Sequence, residues 1–405
     1  MTVVVALLLA AATYAANKAA GEWQSATTEE IRWSAASLEQ LRFVYLDEAP
    51  DAFTIARWES RADVLDERSA GGRSPLLEAE AKTARASAEQ KIFGLKGTNA
   101  LIAERYRLPG GGFDVVRRLA DLQRQEANDS AVSGPVLMAK GDRYRTIALG
   151  LALACIPVVV TWFLLQPLTR KRRPDGRPDS TPPILHDAGL LPHPWTAPQH
   201  TRGLTAVALV AWTLVTLIPV GSLFIATAGQ RSDAEAMRIA VTISTYLQAS
   251  NLHQSQASLQ DRTMIELTQS GLARQLTAID LDDSAQMQLG EADVHAADAW
   301  SRIAAKMARM PDTDDGIEIG LVRAISSTPD IWADALRVQS SAAETGDRAG
   351  DATNLLTLAV TLAALAMSLV TLALARPGSA LMPAGGAILL AAAMLTAFAG
   401  TAAFV

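Results

Sequence analysis

Long apolar runs alternate with long polar segments along this chain. Apolar residues dominate five runs, at 1–17, 146–168, 203–228, 354–375 and 381–405. A helix needs about 20 apolar residues, within a range of roughly 17–25, to span the hydrocarbon core of a bilayer. The pattern therefore predicts an all-α polytopic membrane protein with about five transmembrane helices.

A cluster of basic side chains predicts the orientation of these helices. Arginine and lysine occupy 170–173, directly after the second apolar run. Short loops rich in lysine and arginine stay in the cytoplasm. We therefore expect a cell-membrane protein whose basic, proline-rich linker 169–202 and short turn 376–380 are cytoplasmic. The long segments 18–145 and 229–353 are then extracytoplasmic.

The first apolar run has two interpretations. It lacks the basic residues that open a signal peptide, yet Ala15 and Ala16 are small enough for signal peptidase. We favour an uncleaved anchor, and a cleaved signal leaves segment 18–145 on the same side. The only cysteine, Cys155, lies in an apolar run, so neither long segment has an internal disulfide.

Helical periodicity is the main pattern within the long segments. Apolar residues recur at steps of three and four from Ile31 to Tyr45, which is typical of one face of a helix. Ser74 and Pro75 have the residue types of a helix N-cap and first position. Another helix is expected after Gly112, with Phe113 on its apolar side. Each long segment therefore predicts a helical-bundle domain.

The two halves of the chain resemble each other at low identity. Four landmarks recur at spacings between 202 and 206 positions, in the same places relative to the apolar runs: Glu29 and Glu235, Pro109 and Pro311, Arg173 and Arg376, and the two Gly-Asp-Arg triplets. A constant spacing of this kind indicates an internal repeat. We therefore expect two tandem-repeated extracytoplasmic domains, each followed by a membrane helix.

The Gly-Asp-Arg triplets provide the candidate site residues, Asp142, Arg143, Asp347 and Arg348. Each triplet lies a few residues before an apolar run, where an aspartate can cap a helix and an arginine can reach lipid head groups. An anion or ligand site at the membrane face is the alternative. We favour the first interpretation and expect no catalytic residue.

Other clusters have a structural and a chemical interpretation. Gly110, Gly111 and Gly112 are typical of a flexible turn or of an anion-binding loop. The acids Asp47, Glu48 and Asp51 fit a turn after a helix that ends before Pro50, or acid–base catalysis.

Histidines at 186, 193 and 200 and acids within 312–318 have the residue types of metal ligands. Prolines among the histidines favour a linker, and the acids favour a solvated loop. We expect no metal or cofactor. Because the formal net charge is −6, we expect no nucleic-acid partner either.

The apolar runs contain no Asp, Glu, Lys, Arg or His, which weighs against an ion-coupled pump. A membrane helix, a helical outer domain and a second membrane helix resemble in layout the input half of bacterial chemoreceptors and sensor kinases. We expect a non-enzymatic protein that senses a ligand or scaffolds a partner. Its partners are the lipid bilayer and either another protein or a second copy bound through Ala/Gly-rich helices. A transporter component for a neutral or hydrophobic substrate is the alternative, and a membrane enzyme is a third.

Overall fold

Helices account for nearly all of the structure, a computed structural model that describes residues 2–72, 74–129, 133–170, 199–307, 329–375 and 381–404. We number the helices in chain order as α1 Thr2–Arg42, α2 Ala49–Gly72, α3 Pro75–Leu95, α4 Val115–Asp129, α5 Gly134–Arg170, α6 Gln199–Leu281, α7 Ser284–Met307, α8 Pro329–Ala375 and α9 Leu381–Phe404. The expected all-helical class is confirmed for the described residues. The helix start expected at Pro75 is confirmed, and a helix does follow Gly112, but it begins at Val115, so Phe113 lies just before this helix and not on its apolar side.

Four of the described helical runs are long and apolar enough to cross a membrane: Val4–Gly71, Val207–Leu281, Ala333–Ala373 and Pro383–Phe404. They overlap the first, third, fourth and fifth predicted spans. The second predicted span, 146–168, lies in α5, where most side chains beyond Val158 are outside the described set. The four long apolar helices fit a membrane protein.

The helices extend well beyond the predicted spans. The sequence predicts that the third span ends at 228, but α6 continues without a break to Leu281. Residues 229–281 contain no proline that would interrupt it. The change from apolar to polar residues alters what surrounds a helix, whereas its internal hydrogen bonds are the same in lipid and in water. A drop in hydropathy therefore does not end the helix.

The chain forms two compact units. The first, which we call the apolar unit, comprises Met1–Glu29, Val132–Ile239 and Arg337–Val405. The second, which we call the polar unit, comprises Glu30–Ala131 and Ala240–Leu336. Helices α1, α6 and α8 each supply residues to both units.

Residues from both predicted outer domains share the core of the polar unit. Leu41, Ile55 and Phe113 come from the first segment and are fully buried. They belong to one cluster with Trp300 and Met307 from the second segment. Each segment thus buries apolar surface against the other, and burial of that surface is the main driving force for folding.

Small residues dominate the packing of the apolar unit. A methyl group at Gly386 of α9 would lie 2.7 Å from Val370 Cγ2, and one at Gly400 would lie 3.1 Å from the Ala352 carbonyl oxygen. The glycines of α9 therefore allow close contact with α8 inside the chain. Ile388 and Leu395 are more than two-thirds exposed on the same helix.

A π-helical turn, Phe43–Glu48, corrects the expectation that a helix ends before Pro50. The turn joins α1 to α2, and the Ala49 N–H donates to the Val44 carbonyl, five residues earlier. Proline lacks an N–H and clashes with the carbonyl four residues before it in a regular α-helix. The wider π turn shifts the bonding pattern just ahead of Pro50, so the helix continues.

The three glycines expected to form a flexible turn form a tightly packed one. Gly110, Gly111 and Gly112 have φ values of 82°, 103° and 85°, in the left-handed region. The Gly112 carbonyl accepts a hydrogen bond from Leu108 N at 3.0 Å, which closes the turn. Within the polar unit, the turn packs against Ile303 of α7.

Candidate functional site

The Gly-Asp-Arg triplets lie inside helices, which corrects the expectation that their aspartates are N-caps. Asp142 lies within α5, which begins at Gly134, and Asp347 lies within α8, which begins at Pro329. Only the first turn of a helix has amide groups free for capping. The aspartates follow that turn, so their carboxylates interact elsewhere.

The four candidate site residues have different surroundings. Asp142 accepts hydrogen bonds from Arg231 Nε at 2.8 Å and Nη2 at 3.4 Å. Arg348 pairs with Glu344 one turn earlier, at 2.6 Å. Arg143 and Asp347 are exposed. Asp142 and Arg348 therefore belong to separate ion pairs.

The glycine of each triplet is the buried member. A methyl group at Gly141 would overlap the Trp23 indole of α1, and one at Gly346 would overlap the Asp233 carboxylate of α6. Beside the first contact, Lys140 pairs with Glu22 at 2.7 Å. Both glycines thus allow a preceding helix to approach closely.

Sequence reasoning missed the partners of the triplets, Trp23, Arg231 and Asp233. Burial, together with the nearby Asp347 carboxylate, raises the pKa of Asp233 above its usual value. The recurring glycine was the useful signal, because glycine permits close helix approach, and the more conspicuous charged residues were not.

A buried ion pair lies at the π-helical turn. Glu48 is 2% exposed, and its carboxylate accepts hydrogen bonds from Arg118 Nε at 2.8 Å and Nη2 at 3.0 Å. The Ala100 N–H donates to the same carboxylate at 3.0 Å, and Asn99 donates to the Glu48 carbonyl at 2.8 Å. Fully paired in this way, Glu48 is a structural residue of the polar unit and not a free general acid.

A second buried carboxylate joins several helices of the polar unit. Asp293 of α7 is 3% exposed and accepts a hydrogen bond from Arg61 Nε at 2.8 Å. Arg274 Nη1 of α6 lies 3.0 Å from its other oxygen, without hydrogen-bond alignment. Arg61 also contacts Glu80 of α3 at 3.3 Å. These ion pairs link α2, α3, α6 and α7.

A tyrosine and a histidine from the two segments meet in the same unit. The Tyr45 hydroxyl lies 3.3 Å from His253 Nδ1, and the rings form a T-shaped contact. Burial raises the pKa of Tyr45 to about 12 and lowers the pKa of His253. Both side chains are therefore neutral at physiological pH, and the unprotonated Nδ1 can accept the tyrosine proton.

The polar unit also contains a half-open cavity of about 180 Å³, which we call the α2–α6 pocket. Its lining residues are Pro50, Phe53, Thr54 and Arg57 of α2, Gln256, Leu259, Gln260 and Thr263 of α6, and Trp300 of α7. Phe53 and Trp300 form a T-shaped pair with ring centroids 6.0 Å apart. Aromatic walls with a few polar groups are typical of small-molecule sites.

Several polar groups of the α2–α6 pocket are unpaired. Gln256 and Gln260 are 6% and 9% exposed, and neither side chain hydrogen-bonds to another described residue. Arg57 makes no ion pair in the part of the chain that the structure describes. Their amide atoms are not fully enclosed, so the amides, like the half-buried Arg57 guanidinium, can hydrogen-bond to a molecule in the pocket.

The remaining predicted metal-ligand candidates fall largely outside the part of the chain that the structure describes. His186, His193 and the acidic segment 312–318 lie outside the described residues. So do most of linker 169–202 and the turn 376–380. Elsewhere, the described ranges contain no group of three or more His, Cys, Asp or Glu side chains suited to a metal ion.

No family model matches this chain, and no curated protein or solved structure is detectably similar to it. The sequence and the geometry of the chain itself therefore carry the functional argument.

Proposed function

We propose that this chain is a multi-pass membrane sensor that binds a small molecule in its polar unit, outside the cytoplasm. The α2–α6 pocket is the observation that carries the proposal, because it combines aromatic walls with unpaired amides and an unpaired arginine. Helix α6 lines this pocket and also supplies residues to the apolar unit. On this proposal, a ligand that shifts the pocket end of α6 acts on the membrane-spanning end of the same continuous helix.

The membrane part of the proposal has separate support. Four described helical runs are long and apolar enough to span a bilayer. The basic cluster 170–173 favours a cytoplasmic linker after the second span, which leaves both segments of the polar unit on the outer side.

The order of the helices supports the proposed duplication. In the first half, α1 and α2 form one long run, followed by the shorter α3 and later by α5 with its apolar end. In the second half, α6 is the long run, α7 is the shorter helix and α8 has the apolar end. On this proposal, each copy supplies one wall of the α2–α6 pocket.

Cysteine labelling in intact cells tests the topology. In a Cys155→Ala background, we expect a membrane-impermeant maleimide to label Ser69→Cys and Ser270→Cys. Ser180→Cys should react only after the membrane is permeabilised, because the basic linker stays inside. Labelling of position 180 in intact cells would contradict the topology.

A pocket-filling variant tests the sensing function. We expect compounds that raise the melting temperature of the detergent-solubilised full chain to lose that effect in Thr54→Phe, because the larger side chain occupies the pocket. Thr83→Phe is the control, since Thr83 is exposed on α3. If a broad panel of small molecules gives no shift in wild type, or the same shifts in both variants, the sensing proposal is wrong.

A further inference from the structure

The two main walls of the α2–α6 pocket come from positions that correspond in the two halves of the chain. The four lining residues of α6 follow the four of α2 at one constant spacing of 206 positions, which pairs Pro50 with Gln256, Phe53 with Leu259, Thr54 with Gln260 and Arg57 with Thr263. Glu29 and Glu235 have the same spacing. The repeat alignment and the pocket geometry are independent observations, and they agree.

This correspondence accounts for which positions of α2 and α6 line the cavity. Positions i, i+3, i+4 and i+7 form one face of a helix, and the pocket is lined by that face in both α2 and α6. Two copies of one repeat that pack through the same face form a pseudo-symmetric interface, as in an isologous dimer. A cavity on such an interface is lined by corresponding positions, as observed here.

The residue types have diverged between the two walls. The α2 wall has a cation, Arg57, where the α6 wall has the neutral Thr263. The α6 wall has two amides, Gln256 and Gln260, where α2 has Pro50 and Thr54. The pocket is therefore polarised, with a positive charge on one wall and neutral hydrogen-bonding groups on the other.

Charge and volume limit the ligand. None of the described lining residues is acidic, so Arg57 lacks a counter-charge within the pocket. A guanidinium group can donate two parallel hydrogen bonds to the two oxygens of a carboxylate. Both of these bonds are charge-assisted. A cavity of about 180 Å³ exceeds only slightly the roughly 150 Å³ that holds benzene in a protein core. Phe53, Leu259 and Trp300 provide apolar contact for a ring or a short chain.

We propose that the α2–α6 pocket binds a small organic monocarboxylate, with one ring or a short aliphatic chain. The carboxylate pairs with Arg57, the apolar body lies against Phe53 and Trp300, and the amides of Gln256 and Gln260 bind a polar substituent or the second carboxylate oxygen. This assignment rests on the proposed sensing function and names the ligand class of the same site.

Benzoate and butyrate are suitable probes, with benzamide and butyramide as neutral probes of the same shape. Binding to the purified full chain in detergent is measured by calorimetry and by thermal shift. We expect the carboxylates to bind and the amides to bind at least 10-fold more weakly. Arg57→Gln should weaken carboxylate binding by about 10- to 100-fold, since hydrogen bonds to charged groups contribute about 1.5–3 kcal/mol.

Two further variants separate charge from folding. Arg262→Gln is the matched control, because Arg262 is exposed on α6, does not line the pocket and forms an ion pair with Glu266 one turn later. It should bind benzoate like wild type. Gln260→Glu places a carboxylate in the same pocket as Arg57 and supplies its counter-charge, so we expect this variant to lose benzoate binding. A melting temperature near that of wild type shows that each variant is folded.

The outcomes distinguish this assignment from the broader proposal. Neutral compounds could bind to wild type and fail to bind to Thr54→Phe, while carboxylates bind to neither. In that case the proposed ligand class is wrong, but the sensing proposal stands. If benzoate binds equally to wild type and Arg57→Gln, the assignment to this pocket is wrong. If no compound binds at all, both proposals fail.

Discussion

Replacement of Glu48 by glutamine is expected to lower the free energy of unfolding of the polar unit by about 3–5 kcal/mol. The carboxylate is almost completely buried and forms two hydrogen bonds with Arg118 and one with the Ala100 N–H. A neutral amide leaves the buried guanidinium without its counter-charge, and an uncompensated buried charge is costly. Chemical denaturation of the detergent-solubilised chain, followed by tryptophan fluorescence, measures the change.

Two comparisons make this expectation specific. Glu78→Gln removes an exposed ion pair with Lys82 and should lower the free energy of unfolding far less than Glu48→Gln. The double variant Glu48→Leu with Arg118→Met should be more stable than Glu48→Gln, because it leaves no unpaired buried charge. If Glu48→Gln is as mild as Glu78→Gln, the buried pair does not exist in the folded protein.

Glu48 also shows what the sequence did not reveal. Its neighbours Asp47 and Asp51 made it resemble one member of an acidic turn, and Pro50 suggested the end of a helix. Its partner, Arg118, is 70 residues away, so neither the pair nor its burial leaves a local pattern. The π-helical turn that contains Glu48 lies directly before Pro50, where the sequence suggested that the helix ends.

The sequence predicted helix types and apolar runs better than helix ends. Apolar composition identified four runs that the structure describes as long, apolar helices. It did not place the end of α6 or the start of α8, because hydropathy reports the surroundings of a helix and not the continuity of its hydrogen bonds. Capping residues placed one helix start, since Ser74 precedes and Pro75 begins α3, but Asp142 and Asp347 lie inside helices and the helix continues through Pro50.

The repeat spacing and the pocket also differ in how far the sequence predicts them. The landmarks that predict a repeat can be read in the sequence, whereas the residues of α2 and α6 that line one pocket cannot. Gln256 and Gln260 are polar residues at helix positions that are buried in the structure, and a pattern search assigns such residues to the solvent side. Only the tertiary contact shows that these amides line a cavity.

Replacement of Gly112 by alanine is expected to destabilise the polar unit by about 3 kcal/mol, through two separate effects. Its φ of 85° lies in the left-handed region, which costs an L-residue roughly 1–2 kcal/mol. An added Cβ would also lie 2.8 Å from Ile303 Cγ2 and 2.9 Å from Met307 Sδ, and overpacking of this kind costs about 1–3 kcal/mol. Denaturation of the full chain, as for Glu48→Gln, measures the sum.

Gly97 separates these two effects. It has a φ of 90°, but an added Cβ there would meet no heavy atom within 4 Å beyond its chain neighbours, so Gly97→Ala should show only the backbone cost of roughly 1–2 kcal/mol. The difference between the two variants is the cost of packing the turn against α7, a contact between the first and the second segment of the polar unit. A truncation at the partner, Ile303→Ala, should therefore relieve part of the penalty in Gly112→Ala and none in Gly97→Ala. Equal penalties for the two glycines would show that the 108–112 turn does not pack on α7, and that the two halves of the chain do not share a core there.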